Sequence, residues 1–281
     1  MESATLRHAP LSGQIQAALV ALLLAFAIGA WVLTDGRMAG MDMGPGSELG
    51  GLGWFLGIWV VMMAAMMFPS ISPMVVAFAG MQPTTRGRVA ATGMTAIFVA
   101  GYLLAWSGVG LAGYLLIELV RSMDLGFLAW DAAGRYIAGG VIVAAALYQL
   151  SPLKDACLRR CREPQRFLAE HGSPGAAGAL STGLAHGGYC IGCCWALMAV
   201  LFALGVMSIT WMAFVAALIA GEKLLPSATA ASRVVAVLLV VLGIAVALTP
   251  REVPGLTVPD SSDMPAMDSM QMDSMGMDPH K

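Results

Sequence analysis

Seven long apolar stretches run through this chain of 281 residues, at about 15–33, 53–80, 92–117, 135–152, 178–206, 209–223 and 233–249. A helix needs about 20 apolar residues to cross the hydrocarbon of a bilayer, with a lower limit near 17. In lipid each backbone N–H and C=O must be satisfied within its own segment, so such spans fold as helices. The short alternating pattern of a membrane barrel is missing. The expectation is an all-α, polytopic transmembrane helical bundle of about seven spans. The sixth stretch is short, and Lys223 at its end is expected to snorkel toward the lipid interface. Composition agrees: 58% of residues are hydrophobic and 11% charged, against about 25% charged in soluble domains. The net charge of −2 gives no reason to expect a nucleic-acid partner.

Lys and Arg in the connecting segments set the orientation. With the N-terminus inside, Arg7, Arg86, Arg88, Lys154, Arg159, Arg160, Arg162, Arg166, Lys223 and Arg233 fall on the inner side, ten of the fifteen basic residues. The expected organisation is an N-terminal cytoplasmic segment over 1–14, a transmembrane domain over 15–249 and a disordered, Met-rich tail over 250–281. The expected location is a bacterial inner membrane, crossed several times, with the N-terminus in and the C-terminus out. Ala25-Phe26-Ala27 also fits a signal-peptide cleavage site.

Nine of the 21 methionines lie in two polar outer segments: Met38, Met41 and Met43, then Met264, Met267, Met270, Met272, Met275 and Met277. Methionine in a polar tail has no packing role, whereas its thioether is a soft ligand that selects Cu(I). Such segments resemble the Met-rich stretches of periplasmic copper-resistance proteins. The second span carries Met62, Met63, Met66 and Met67, paired on shared helix faces at four-residue spacing. These four are either a ligand box or core filler. In the fifth span, His186, Cys190 and Cys194 recur every four residues, and Cys193 flanks the same stripe. Imidazole and thiolate both bind Cu(I) and zinc, and polar groups inside a membrane point to function. The nearby glycines, Gly183, Gly187, Gly188 and Gly192, also suit close helix packing. Cys157 and Cys161, in the basic segment after the fourth span, form a C-x-x-x-C pair that could chelate a soft metal. The same pair could instead close a disulfide; as ligands they would be a cytoplasmic entry or exit station for the ion.

MMAAMMFPS at 62–70, SPLKDACLRRC at 151–161, GGYCIGCCWALM at 187–198 and the Glu222-Lys223 pair together resemble a bacterial family of predicted metal-binding integral membrane proteins, long catalogued as a domain of unknown function. The resemblance covers about 52–248 and implies metal binding without naming a reaction. The Met-rich segments lie outside it and are this chain's own reason to prefer copper.

These residues suggest a protein that binds Cu(I) and transfers it, with a periplasmic copper chaperone or a membrane cuproprotein as partner. A metalloenzyme or thiol redox enzyme built on the His/Cys cluster is the alternative, and a structural or assembly subunit a third. No Walker A or aspartyl-phosphate motif supports an ATP-driven pump. Orientation is directly testable. A reporter fused after Lys281 should score outside and one inserted within 154–171 should score inside; a cytoplasmic tail would remove the basis for copper capture by the Met-rich segments.

Overall fold

The computed structural model describes residues 13–38, 51–82, 88–123, 133–204, 208–253 and 256. Among these the regular structure is helical, with no strand. The elements are α1 (Gly13–Met38), α2 (Leu52–Gly80), α3 (Arg88–Ser122), α4 (Arg135–Gln149), α5 (Pro152–Arg162), α6 (Pro164–His171), α7 (Gly175–Leu204), α8 (Ile209–Leu224) and α9 (Ala228–Leu248), followed by a 3-10 turn at Pro250–Glu252. All seven apolar stretches are therefore helices. Five of them, α1, α2, α3, α7 and α9, are long and apolar enough to cross a membrane.

The other two stretches depart from expectation. α4 has 15 residues and α8 has 16, both short of a full span. α4 stops because Ser151-Pro152 cannot continue it: proline lacks the N–H that the next turn requires. Pro152 instead opens α5, and the Ser151 hydroxyl accepts from the Lys154 backbone N–H at 3.2 Å as its cap. The chain bends by 66° there, so α4 and α5 together make at most one broken span. α8 ends ahead of Pro226, where Leu225 is extended, as the residue before a proline prefers.

α7 lies at the centre of the bundle. Its most extensive packing is with α3, and it also contacts α4, α5, α6 and α8. α2 is held between α1, α3 and α8, and α9 backs α4. α2 carries Pro69 and Pro73 yet continues unbroken. Pro73 cannot pair with the Pro69 carbonyl, and the Ser72 hydroxyl donates to that carbonyl instead, at 2.9 Å.

Small residues let α3 and α7 approach. A Cβ on Gly183 would overlap the Phe98 carbonyl, and one on Gly187 would lie 2.6 Å from the Ala105 Cβ. Gly188, on the outer face of the same helix, has nothing within 4 Å of that position. Gly183→Ala should therefore destabilise the folded protein by about 1–3 kcal/mol, the usual range for overpacking. Gly188→Ala should be neutral or stabilising by up to about 1 kcal/mol, through helix propensity alone. Thermal unfolding of the two variants in detergent measures the contrast.

Candidate metal centre

α7 places Cys190, Cys193 and Cys194 on its buried face. Their sulfurs lie within 4.8 Å of one another, the one such group of metal-ligand type among the described residues. The Sγ atoms of Cys190 and Cys194 are 3.9 Å apart. All five cysteines are free. The Cys193 and Cys194 thiols donate to the Cys190 carbonyl, at 3.1 and 2.8 Å, so both side chains fold back along the helix onto its turn.

A fourth sulfur arrives from another element. Cys161 Sγ lies 3.8 Å from Cys193 Sγ. The segment carrying Cys157 and Cys161 packs on the bundle. It is helix α5, laid against α7, with Cys161 at the edge of the cluster. Gly192 permits this approach, because a Cβ there would stand 2.7 Å from Cys157 Sγ. The Tyr148 hydroxyl donates to the Gly192 carbonyl across the same seam, at 2.5 Å. Two features of this region coexist: glycines at 183, 187 and 192 serve close packing, and the cysteines at 190, 193 and 194 gather.

A metal–sulfur bond of about 2.3 Å in tetrahedral geometry separates sulfurs by about 3.8 Å. The two sulfur–sulfur distances of 3.9 and 3.8 Å match that spacing. Thiolates are soft donors, suited to Cu(I) and zinc. The donor set fits a thiophilic ion.

His186 stands apart from the three-sulfur group. It is buried one turn before Cys190, between Phe98, Tyr102 and Phe167, with ring centroids 6.1, 5.8 and 5.3 Å away. Its Nδ1 has no hydrogen-bond partner among the described residues. Helical spacing aligned His186 with the cysteines, but rotation of the imidazole into an aromatic pocket removed it from the trio. Met62, Met63, Met66 and Met67 are all buried in α2. The polar link from α2 to the cluster is made by Ser70. Met38 closes α1, and Met41, Met43, Met264, Met267, Met270, Met272, Met275 and Met277 lie outside the described residues.

The expected snorkelling of Lys223 is overturned. Its side chain is buried, and the ammonium lies 3.0 Å from Cys190 Sγ and 3.4 Å from the Ser70 hydroxyl. Lipid exposure would have sent this cation outward, but α5 packs against the end of α8 and a sulfur acceptor waits inside. The Tyr102 hydroxyl, from α3, also reaches Cys190 Sγ at 3.1 Å. Neither Tyr102 nor Ser70 was marked by spacing, since each comes from a helix far away in sequence.

A second buried contact sets this arrangement. Lys154 Nζ donates to both carboxylate oxygens of Glu222 at 2.6 Å, with both side chains almost fully buried. Arg162 donates to the Glu222 and Leu225 carbonyls at 2.6 Å and to that of Pro226 at 3.1 Å. Helix α5 is thus fastened at both ends to the last turn of α8. Removing one member of a buried ion pair leaves an uncompensated charge, at about 3–5 kcal/mol. Lys154→Met or Glu222→Leu alone should destabilise by that amount, and the double variant should recover most of it, as read by thermal unfolding.

No curated protein and no solved structure matches this chain. Residues 56–246, which include α3–α8, most of α2 and α9, and every cysteine, match the family described as PpoB2, copper chaperone. A match over that much of the chain, with a thiolate cluster at the centre of the matched region, makes the protein a member of the PpoB2 copper chaperone family.

Proposed function

We propose that this protein is an integral membrane copper carrier that binds Cu(I) through Cys190, Cys193 and Cys194, with Cys161 as a fourth sulfur, and passes it to a copper-requiring protein. The observation that carries this reading is the convergence of four cysteine sulfurs from two helices. Cu(I) is the cargo. Thiolate, the form that binds it, arises as the thiols release their protons, so loading releases protons and weakens as pH falls.

Cys161 has a distinct part in delivery. The other three sulfurs share one rigid helix, whereas Cys161 rides on α5, beyond a sharp bend in the chain. Rotation of the Cys161 side chain alone changes the coordination number, while α5 stays fastened to α8. A carrier needs such a step, because it must hold the ion firmly and still release it.

The remaining assignments support the same reading. Met38, Met41, Met43 and the tail methionines would collect Cu(I) outside, raising its local concentration as tethered ligands do. Met62, Met63, Met66 and Met67 supply thioethers along the buried face of α2, and His186 a nitrogen donor one turn from Cys190. The location is the bacterial inner membrane, with the N-terminus in and the C-terminus out. The partners are a periplasmic copper chaperone or a membrane cuproprotein.

Serine matches cysteine closely in size but is a hard, weak ligand for Cu(I). Replacing Cys190, Cys193 and Cys194 by Ser should abolish tight Cu(I) binding while expression and folding persist. Cys161→Ser should weaken binding less. Copper content of the purified full-length chain, loaded under reducing conditions, measures both. Full copper occupancy in the triple Ser variant would reduce the cysteines to packing residues and sink the proposal.

A further inference from the structure

Lys223 has a place that charge balance makes informative. It is a lysine of the last turn of α8, buried, with its ammonium 3.0 Å from Cys190 Sγ. The adjacent carboxylate does not neutralise it, because both oxygens of Glu222 are taken by Lys154. Arg162, the other cation at this helix end, is directed at backbone carbonyls of 222, 225 and 226. The other side-chain neighbours of the ammonium are the neutral hydroxyl of Ser70 and, across Cys190, the phenol of Tyr102. The charge of Lys223 is therefore directed at the sulfur cluster.

We infer that Lys223 is a specificity-determining residue that biases the cluster toward a monovalent thiophilic ion over a divalent one. This rests on the cysteines being the copper ligands, as proposed above. The argument is electrostatic. The attraction between ammonium and thiolates is the same whichever ion is bound. The repulsion between ammonium and ion doubles when the ion carries two charges. With a metal–sulfur bond of about 2.3 Å, an ion on Cys190 sits about 4–5 Å from Nζ. At that range, and at the effective dielectric of about 20 that suits protein sites, one extra unit of charge discriminates by about 300- to 1,000-fold. Three thiolates alone would favour the divalent ion, which cancels more of their charge in a poorly solvated site. The lysine supplies a fixed positive charge in its place. Sulfur ligands by themselves accept both ions, so a fixed charge beside them is what separates the two.

The test compares Cu(I) and Cd(II), the second a divalent probe whose thiolate absorption band reports sulfur coordination. Affinities are measured by competition against chromophoric chelators, on the full-length chain in detergent under anaerobic conditions. Lys223→Met keeps the length and apolar stem and removes the charge. It should lower the ratio of Cu(I) to Cd(II) affinity by about 300- to 1,000-fold. Lys223→Arg keeps the charge and should hold the ratio near that of the unaltered protein. Lys223→Gln, which can still hydrogen-bond to Cys190 and Ser70, replaces the Met variant if that one does not fold. Equal loss of both affinities, or no change in either, would overturn the inference and leave Lys223 a structural residue. So would an Arg variant that behaves like the uncharged ones. Failure of the cysteine ligation itself appears separately, as retained copper in the triple Ser variant.

Discussion

The buried contact between Lys154 and Glu222 is the interaction on which the arrangement of this centre depends. Two charges removed from water are tolerated only when they meet with good geometry, and here both carboxylate oxygens accept from one ammonium. The consequence is mechanical. α5 cannot drift from the end of α8, so Cys161, on the opposite end of α5 from Lys154, is carried to Cys193. The same turn of α8 presents Lys223 to Cys190. One ion pair thereby fixes a fourth sulfur and a counter-charge around three sulfurs that α7 already holds.

The helix seams do the complementary work. α3 meets α7 at backbone distance because Gly183 and Gly187 offer no Cβ, which brings Tyr102 within reach of Cys190. α5 and Tyr148 reach α7 at Gly192 for the same reason. A close approach of this kind excludes water and lowers the local dielectric, and each charge near the cluster then acts more strongly than it would in solution. Geometry also sets the level of the cluster along the bundle. From Ser208 to Lys223, α8 rises about 21–23 Å, and it ends beside Cys190, near the middle of the longer α7. Below that level the charged α5–α6 pair takes the place of α8. The cluster therefore sits where the apolar helices α7 and α8 meet the basic helix α5.

Membership of a copper chaperone family and a cluster of buried sulfurs at carrier-like spacing point to the same chemistry from independent directions. A chaperone has to combine firm retention with release. Three sulfurs sit on one helix and the fourth on a neighbouring one, at 3.8 Å from the nearest of them.

The sequence by itself determined the elements and the donors. Runs of apolar residues can only be helices in lipid, so the seven stretches were legible, and helical periodicity put Cys190 and Cys194 on one face without further information. The grouping of Cys193 with them followed from local spacing. What spacing could not reach were contacts made between helices. Cys161 is 32 residues from Cys193, Lys223 is 33 from Cys190 and Tyr102 is 88 away. Local pattern also misjudged direction: the end of a short span suggested that Lys223 turns outward, whereas its ammonium faces Cys190. Only the tertiary structure decided these, because a buried cation goes where an acceptor and a covering helix are found, and both are supplied by distant parts of the chain.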